Sequence, residues 1–270
     1  MTRLFSPGER VLLFDSKGRR YLVTLVEGGE FHTHSGFVPH AEIAGREEGA
    51  LLRSTKGATF TAFRPTLADF VLKMPRGAQV IYPKDLGPIL LLADIQPGVH
   101  VFESGVGSGA LSMTLLRAGA SVIGYELRED FAERARGNVR SFLGDDASSR
   151  YRVEVRDSYE GIDERELDRV VLDLPEPWQV VKHAALAMRP GGILVSYSPS
   201  IAQVMQLHEA FEDSGFHLAQ TVEILQRTWH VEGQAVRPDH RMVAHTGFLT
   251  SARLLGDIPG GVKPPRIGQS

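Results

Sequence analysis

Over the first 65 residues the apolar positions come in short runs, "RVLLFD" (10–15) and "RYLVTLV" (20–26) among them, broken by "SKG", "EGGE" and "HSG". Short runs of this kind between Gly- and Ser-containing turns predict strands, and so a small β-domain over residues 1–65. From residue 66 the period changes. "TLADFVLKM" (66–74) has its apolar residues at helical spacing, and beyond it strand-like runs alternate with amphipathic stretches. The pattern predicts strands at 99–103, 121–126, 151–156, 168–173, 191–198, 218–228 and 242–254, and helices at 84–94, 109–118, 129–142, 177–188 and 200–213. Strands separated by helices build a mostly parallel sheet covered on both faces, with a ligand crevice outside the carboxyl ends of its strands. The two final strand runs have no clear helix between them, which predicts an antiparallel hairpin at one edge of a seven-stranded α/β domain spanning 66–255. The remaining segment, 256–270, "GDIPGGVKPPRIGQS", reads as a flexible tail.

Composition narrows the chemistry. The 270 residues contain no cysteine, which removes disulfides, thiolate metal sites and a cysteine nucleophile. Ten histidines are scattered without ligand spacing, so no metal is expected. No run approaches 18 apolar residues, and "MTRLFSPGER" lacks the features of a signal peptide, so the expectation is a cytoplasmic protein with no membrane partner. A net charge of -3 gives no global signature of nucleic-acid binding, although a local basic face fits within a near-neutral total.

The chemistry concentrates in "VHVFESGVGSG" (99–109), where a predicted strand runs into Gly105, Gly107 and Gly109 just before a predicted helix. That is the context of a nucleotide loop, but the dinucleotide fingerprint is G-x-G-x-x-G and here the spacing is G-x-G-x-G. The acids decide more. Glu103, Glu126, Asp157 and Asp173 stand at the ends of four successive strand runs, and together they predict a rim of carboxylates around one crevice. Such a rim repels a pyrophosphate. It suits a cofactor with an ammonium, a sulfonium, ribose hydroxyls and an adenine amine, which describes S-adenosyl-L-methionine. Glu126 lies 19 residues past Gly107, close to the offset of about 20 at which an acid meets the ribose hydroxyls. Asp157 then faces the adenine amine. Taken singly, each acid also reads as a helix cap or a solvated strand end.

Three stretches carry a resemblance: "QVIYPKD" (79–85), "ESGVGSGALS" (103–112) and "EILQRTWHVEGQAVRPDHRMVAHTGFL" (223–249). Together they resemble the tRNA (adenine-58-N1)-methyltransferase family, a class I S-adenosylmethionine-dependent methyltransferase family called TrmI in bacteria. The resemblance spans nearly the whole chain, including the N-terminal β-domain. The glycine loop is shared by all class I methyltransferases, whereas "IYPKD" and "QRTWHVEG" with "VRPDH" are more specific. The resemblance implies a Rossmann-like fold, a homotetramer, methylation of N1 of an adenine in the T-loop of tRNA, and Asp173 of "VLDLPEPW" as the catalytic aspartate.

The residues support a consistent assignment. Cofactor contacts are expected from Gln79, Glu103, Ser104, Gly105, Val106, Gly107, Ser108, Gly109, Ala110, Leu111, Glu126, Asp157 and Asp173. Asp173 and Tyr82 are the candidate catalytic residues, with Tyr82 as a wall for cofactor or base, or else a buried aromatic. Trp178 reads equally as helix-start packing and as a base-stacking ring. Arg227, Trp229, Arg237, His240 and Arg241 are the candidate tRNA contacts, because a basic stretch interleaved with an aromatic suits RNA. Positions 46–76, with six Lys/Arg against three acids, make a second candidate basic face or merely a solvated one.

Three rivals stay open. "DLPEPW" also resembles the Asp/Asn-Pro-Pro-aromatic signature of exocyclic amino methyltransferases, which makes N6-adenine or another nucleic-acid methylation the nearest alternative, but Leu174 and Glu176 interrupt it. A non-catalytic tRNA-binding subunit and an NAD-dependent oxidoreductase are the others. The intact loop and acids argue against the first, and the glycine spacing against the second.

Overall fold

The computed structural model describes residues 3–77 and 79–256, so the predicted tail lies, but for Gly256, outside the described residues. The chain divides into two compact units, Met1–Met74 and Pro75–Ser270. The short helix at "LADFVLK" therefore goes with the N-terminal unit rather than with the α/β domain.

The N-terminal unit contains β1 (Arg10–Asp15), β2 (Arg20–Thr24), β3 (Glu30–Thr33), β4 (Gly36–Pro39), β5 (Ala50–Arg53), β6 (Thr59–Phe63) and α1 (Leu67–Lys73). An antiparallel sheet of order β2-β1-β6-β5 and the β3–β4 hairpin enclose a core that includes Phe5, Val11, Leu13, Val38, Ile43 and Phe60. Thr66 and Asp69 start α1 by bonding each other's backbone N–H groups in a capping box. Arg64 bonds Glu9 and Glu48 and lies over the Phe5 ring, 4.7 Å away. These contacts spend Arg64 inside its own unit and take it out of the candidate basic face.

The second unit runs α2 (Pro83–Leu92), β7 (His100–Ser104), α3 (Ala110–Arg117), β8 (Ser121–Glu126), α4 (Glu129–Ser149), β9 (Tyr151–Val155), β10 (Leu167–Leu172), α5 (Val181–Ala187), β11 (Met188–Ser198), α6 (Ile201–Glu212), β12 (Phe216–Glu223), β13 (Trp229–Glu232), β14 (Ala235–Pro238) and β15 (Phe248–Leu254). Its seven-stranded sheet has the order β12-β15-β11-β10-β7-β8-β9, in which β15 runs antiparallel to both neighbours. Apolar residues of the strands and of α5 and α6, including Phe102, Tyr125, Leu172, Val181, Leu194 and Leu207, form its core. Gly144, at φ 84°, breaks α4 close to the expected helix end at 142. Among the described residues no helix is long and apolar enough to cross a membrane.

The edge departs from expectation. β12 and β15 do pair antiparallel, but they are shorter than the runs 218–228 and 242–254. Residues 224–247 leave the sheet as an arm that carries the β13–β14 ribbon, closed at its base by the Gln226–Val243 bridge. No tight turn therefore joins the two edge strands. The apolar residues at the run ends, Leu225, Met242 and Val243, are exposed on the arm instead of continuing the sheet.

The order β10-β7-β8 brings the ends of three parallel strands side by side. Asp173 N–H donates to the Ser104 carbonyl at 2.9 Å, and Gly105 N–H donates to the Tyr125 carbonyl at 3.2 Å. A Cβ on Gly105, at φ +85°, would lie 2.0 Å from the Asp173 carbonyl oxygen, which is backbone and cannot rotate away. Gly105→Ala is therefore expected to destabilise the protein by about 3 kcal/mol or more, read as the urea midpoint. Gly107→Ala, where nothing lies within 4 Å of the added carbon, is expected to cost only about 1–2 kcal/mol for the left-handed backbone. Equal losses at the two positions would contradict the assigned close approach.

Candidate active site

The three glycines differ in what they do. Gly109, at φ +82°, opens α3 and sits against α4, where an added Cβ would meet the Ala135 backbone at 3.2 Å. Asn138, also on α4, donates to the Ser108 carbonyl at 2.9 Å and so holds the loop from the side. Gly105 lets the end of β10 approach. Only Gly107 faces open space, and it is there that a ligand can come against the backbone.

The acids surround this loop. Glu103 is fully buried on β7, and its Oε2 accepts from Ser112 Oγ at 2.7 Å, which in turn accepts from the Tyr151 hydroxyl at 2.9 Å. Burial, then the charge of Asp173, outweighs the Ser112 hydrogen bond and pushes Glu103 up to about 8. Asp173 follows β10 and keeps some accessible surface. Burial and the charge of Glu126 push it up to about 7. Glu126 ends β8, accepting from Gly107 N–H at 2.8 Å through Oε2 and from Arg128 N–H at 3.1 Å through Oε1. It stands beside Gly107 and braces the loop. Asp157 lies two residues beyond β9 and accepts from Tyr159 N–H at 2.8 Å, so its carboxylate is tied to its own turn. Glu103, Glu126 and Asp173 thus act on one another, while Asp157 is joined to them through its neighbour Ser158, whose hydroxyl accepts from Ser104 Oγ at 2.7 Å.

Two buried polar atoms of this region, Glu103 Oε1 and Ser108 Oγ, have no partner among the described residues. A buried polar atom without a partner costs about 1–3 kcal/mol, so a ligand that bonds it is stabilised accordingly. Orphaned oxygens, an open Gly107 and a negative rim fit a cationic ligand rich in hydrogen-bond donors. They do not fit a pyrophosphate. The crowding also has a linkage consequence: folded values raised above the ordinary carboxylate range give stability that is full below about pH 4 and is lost as the pH rises towards 7 and 8.

The other candidates divide. Tyr82 is the residue before α2, half-buried, and acts electrostatically on Tyr197 at the end of β11, which also senses Asp85 and Asp173. Gln79 is exposed, and Val106, Ala110 and Leu111 are buried loop and helix-start residues. The stretch after Asp173 is held by Gln203, which donates to the Pro175 carbonyl at 2.7 Å, and by the Tyr159 hydroxyl, which accepts from Glu176 N–H at 3.1 Å. Trp178 lies half-buried in the 3-10 turn Pro177–Val180 that leads into α5. Arg227, Trp229, Arg237, His240 and Arg241 are all exposed on the arm. The ribbon register pairs Trp229 with Pro238 and His230 with Arg237, so the tryptophan and Arg237 occupy opposite faces and are not interleaved on one surface. Tyr197 was not anticipated. The rule that picked out the strand-end acids reaches it by one residue, since it stands just before Ser198, the last residue of the run "ILVSYS".

Comparison with known proteins agrees with this geometry. The family profile described as tRNA methyltransferase complex GCD14 subunit matches residues 61–238, and a TrmI-like N-terminal profile matches 4–52. A tRNA (adenine(58)-N(1))-methyltransferase TrmI of Thermus thermophilus is 40% identical over 252 residues, covering 90% of this chain and 96% of that one. A Methanocaldococcus jannaschii TrmI, named for adenines 57 and 58, is 37% identical over 90% of this chain and 94% of its own. Among solved structures, TrmI from Aquifex aeolicus superposes with a TM-score of 0.83 at 28% identity, covering 94% of this chain and 100% of that one. A Thermotoga maritima protein described as an S-adenosylmethionine-dependent O-methyltransferase superposes at 0.89 with 31% identity, covering 94% and 96%. The strand order, the glycine loop with its acids and these likenesses lead to one assignment: the chain belongs to the TrmI-type tRNA (adenine-58-N1)-methyltransferase family, with a class I methyltransferase fold.

Proposed function

We propose that the chain methylates N1 of adenine 58 in the T-loop of tRNA with S-adenosylmethionine as donor, acting in the cytoplasm as a homotetramer. The observation that carries this reading is Asp173, a partly accessible carboxyl at the rim of the loop that Glu126 and Gly107 define, in a chain whose relatives are named for that reaction. The O-methyltransferase description of one structural neighbour names a different acceptor. An oxygen nucleophile needs a base to create it, whereas adenine N1 already carries an in-plane lone pair.

Gly107, Ser108, Glu103 and Glu126 are the residues that would hold the cofactor, which when bound supplies an electrophilic methyl group on a cationic sulfur. Asp173 does the remaining electrostatic work. Its carboxylate accepts a hydrogen bond from the exocyclic amine, directs electron density towards N1 and offsets the positive charge of the methylated base. A stacked N1 is out of reach, so the base must leave its stack to enter the crevice. Tyr82 offers it a wall, and the exposed arginines of the arm offer phosphates a set of cations.

Nucleoside mass spectrometry of tRNA incubated with protein and S-adenosylmethionine tests the reading: 1-methyladenosine at position 58 supports it, and N6-methyladenosine, a ribose methyl or no product refutes it. Under single turnover, Asp173→Ala and Asp173→Asn should both lose about 10² to 10⁴ in rate. With a carboxyl at about 7 in the free protein that acts ionised, the parental kcat/KM for S-adenosylmethionine, which reports the free protein, should rise about tenfold between pH 6 and 8, and Asp173→Asn should be flat. An active Asn variant with the parental profile would show that charge is not what Asp173 supplies.

Glu126→Ala is expected to weaken S-adenosylhomocysteine binding by about 1.5–3 kcal/mol in calorimetry, part of it through release of Gly107. An unchanged Kd removes Glu126 from the site. For the arm, log Kd for tRNA against log salt should have a steep slope, reduced by about 1 or less in each of Arg227→Ala, Arg237→Ala and Arg241→Ala. Parental slopes in all three would mean that the arm does not touch phosphate.

A further inference from the structure

The arm formed by residues 224–247 leaves the sheet after β12 and rejoins it at β15, and both of its feet are fastened to two adjacent side chains of α2. Lys84 Nζ donates to the Ile224 carbonyl at 2.6 Å and pairs with Asp85 Oδ1 at 2.8 Å. The other oxygen of Asp85 accepts from Thr246 Oγ1 at 2.6 Å. The two charged side chains are 2% and 0% accessible.

An ion pair so deeply buried is a poor way to hold a helix to a sheet. Removing two charges from water costs several kcal/mol each, and apolar residues of similar volume commonly stabilise as well or better. What apolar residues lack is directed bonding to two separate points of the chain. Here one cation takes the outgoing foot and one carboxylate takes the returning foot, while the pair neutralises itself.

The returning foot is also seated against β11. Tyr197 donates its hydroxyl hydrogen to the Thr246 carbonyl, and a Cβ at Gly247 would fall 2.5 Å from the tyrosine ring. Tyr197 lies within electrostatic reach of Asp173 and of Tyr82, the residue that precedes Pro83, Lys84 and Asp85. The start of α2, both feet of the arm and Tyr197 are therefore joined by hydrogen bonds, and Tyr197 reaches the rim of the crevice electrostatically. Beyond the feet, the arm is held by the Gln226–Val243 bridge, the ribbon's own pairing and the Thr228–Asp239 contacts, and its candidate RNA residues are exposed.

We propose that Lys84 and Asp85 are positioning residues, which set where the arm departs from the crevice so that an RNA held by the arm presents its adenine to Asp173. This rests on the tRNA reading above. The fastening itself does not, and the two can be tested separately.

The test is the full chain carrying Lys84→Met with Asp85→Leu, which keeps the packing and removes the two bonds from α2 to the feet, leaving Tyr197 on Thr246. Hydrogen exchange without RNA is expected to speed at least tenfold at amides 224–228 and 243–247 and to stay parental in β7 and β10. Calorimetry is expected to give a parental Kd for S-adenosylhomocysteine. With tRNA, Kd should change less than threefold, while the single-turnover methylation rate falls at least thirtyfold. If the double variant does not fold, Thr246→Val, which removes only the Asp85 bond to the returning foot and keeps the Tyr197 bond to the Thr246 carbonyl, is measured in the same way, with Thr246→Ser restoring the rate. An active parent and a variant within threefold of its rate would overturn the positioning role, as would parental exchange at the feet. A parent that transfers no methyl group to tRNA instead removes the functional reading on which the proposal stands.

Discussion

The close approach of Gly105 to the backbone of Asp173 is the constraint on which the site depends. Neighbouring parallel strands are about 5 Å apart, and functional groups at their ends come closer only if a backbone turns inward without a side chain. At Gly105 it does: a Cβ there would stand 2.0 Å from the Asp173 carbonyl oxygen. The bond from Asp173 N–H to Ser104 continues the β7–β10 ladder one step past its last paired residue, so that Asp173 is fixed relative to the glycine loop before its side chain does anything.

That arrangement crowds negative charge. Glu103, Glu126 and Asp173 act on one another, and burial holds Glu103 and Asp173 well above the ordinary carboxylate range. The free site is therefore electrostatically unfavourable in a way that a cation relieves. A cofactor with a positive sulfur and a product base with a positive ring are both suited to it, and a phosphate is not. The same carboxyl crowding that costs folding stability at neutral pH suits the site to a cation.

Much of this was legible along the chain. The four acids followed apolar runs, and strand ends in a parallel sheet face one crevice, so Glu103, Glu126 and Asp173 could be grouped before any coordinate was known. Asp157 belongs to the same group by position, and its Oδ1 also accepts from Tyr159 N–H, a local contact that pattern does not reveal. Tyr197 was missed because an aromatic at the end of "ILVSYS" looks like core until its hydroxyl is seen on Thr246. Trp229 and Arg237 appeared interleaved, yet the register of the β13–β14 ribbon put them on opposite faces.

Period and punctuation by themselves determined the two-unit organisation, the α/β class, the glycine loop and the acids around it, because helical and strand periods and positive-φ glycines are local requirements that residues state directly. The tertiary structure alone decided which glycine faces a ligand, which acids act on one another, and how the arm is anchored. Lys84 and Asp85 illustrate the difference. In sequence they are an ordinary charged pair at a helix start, and only the return of residues 224 and 246 to that point buries them and gives each charge a partner. Contacts between residues so far apart in the chain depend on loop closure and on packing as a whole, which no local pattern encodes.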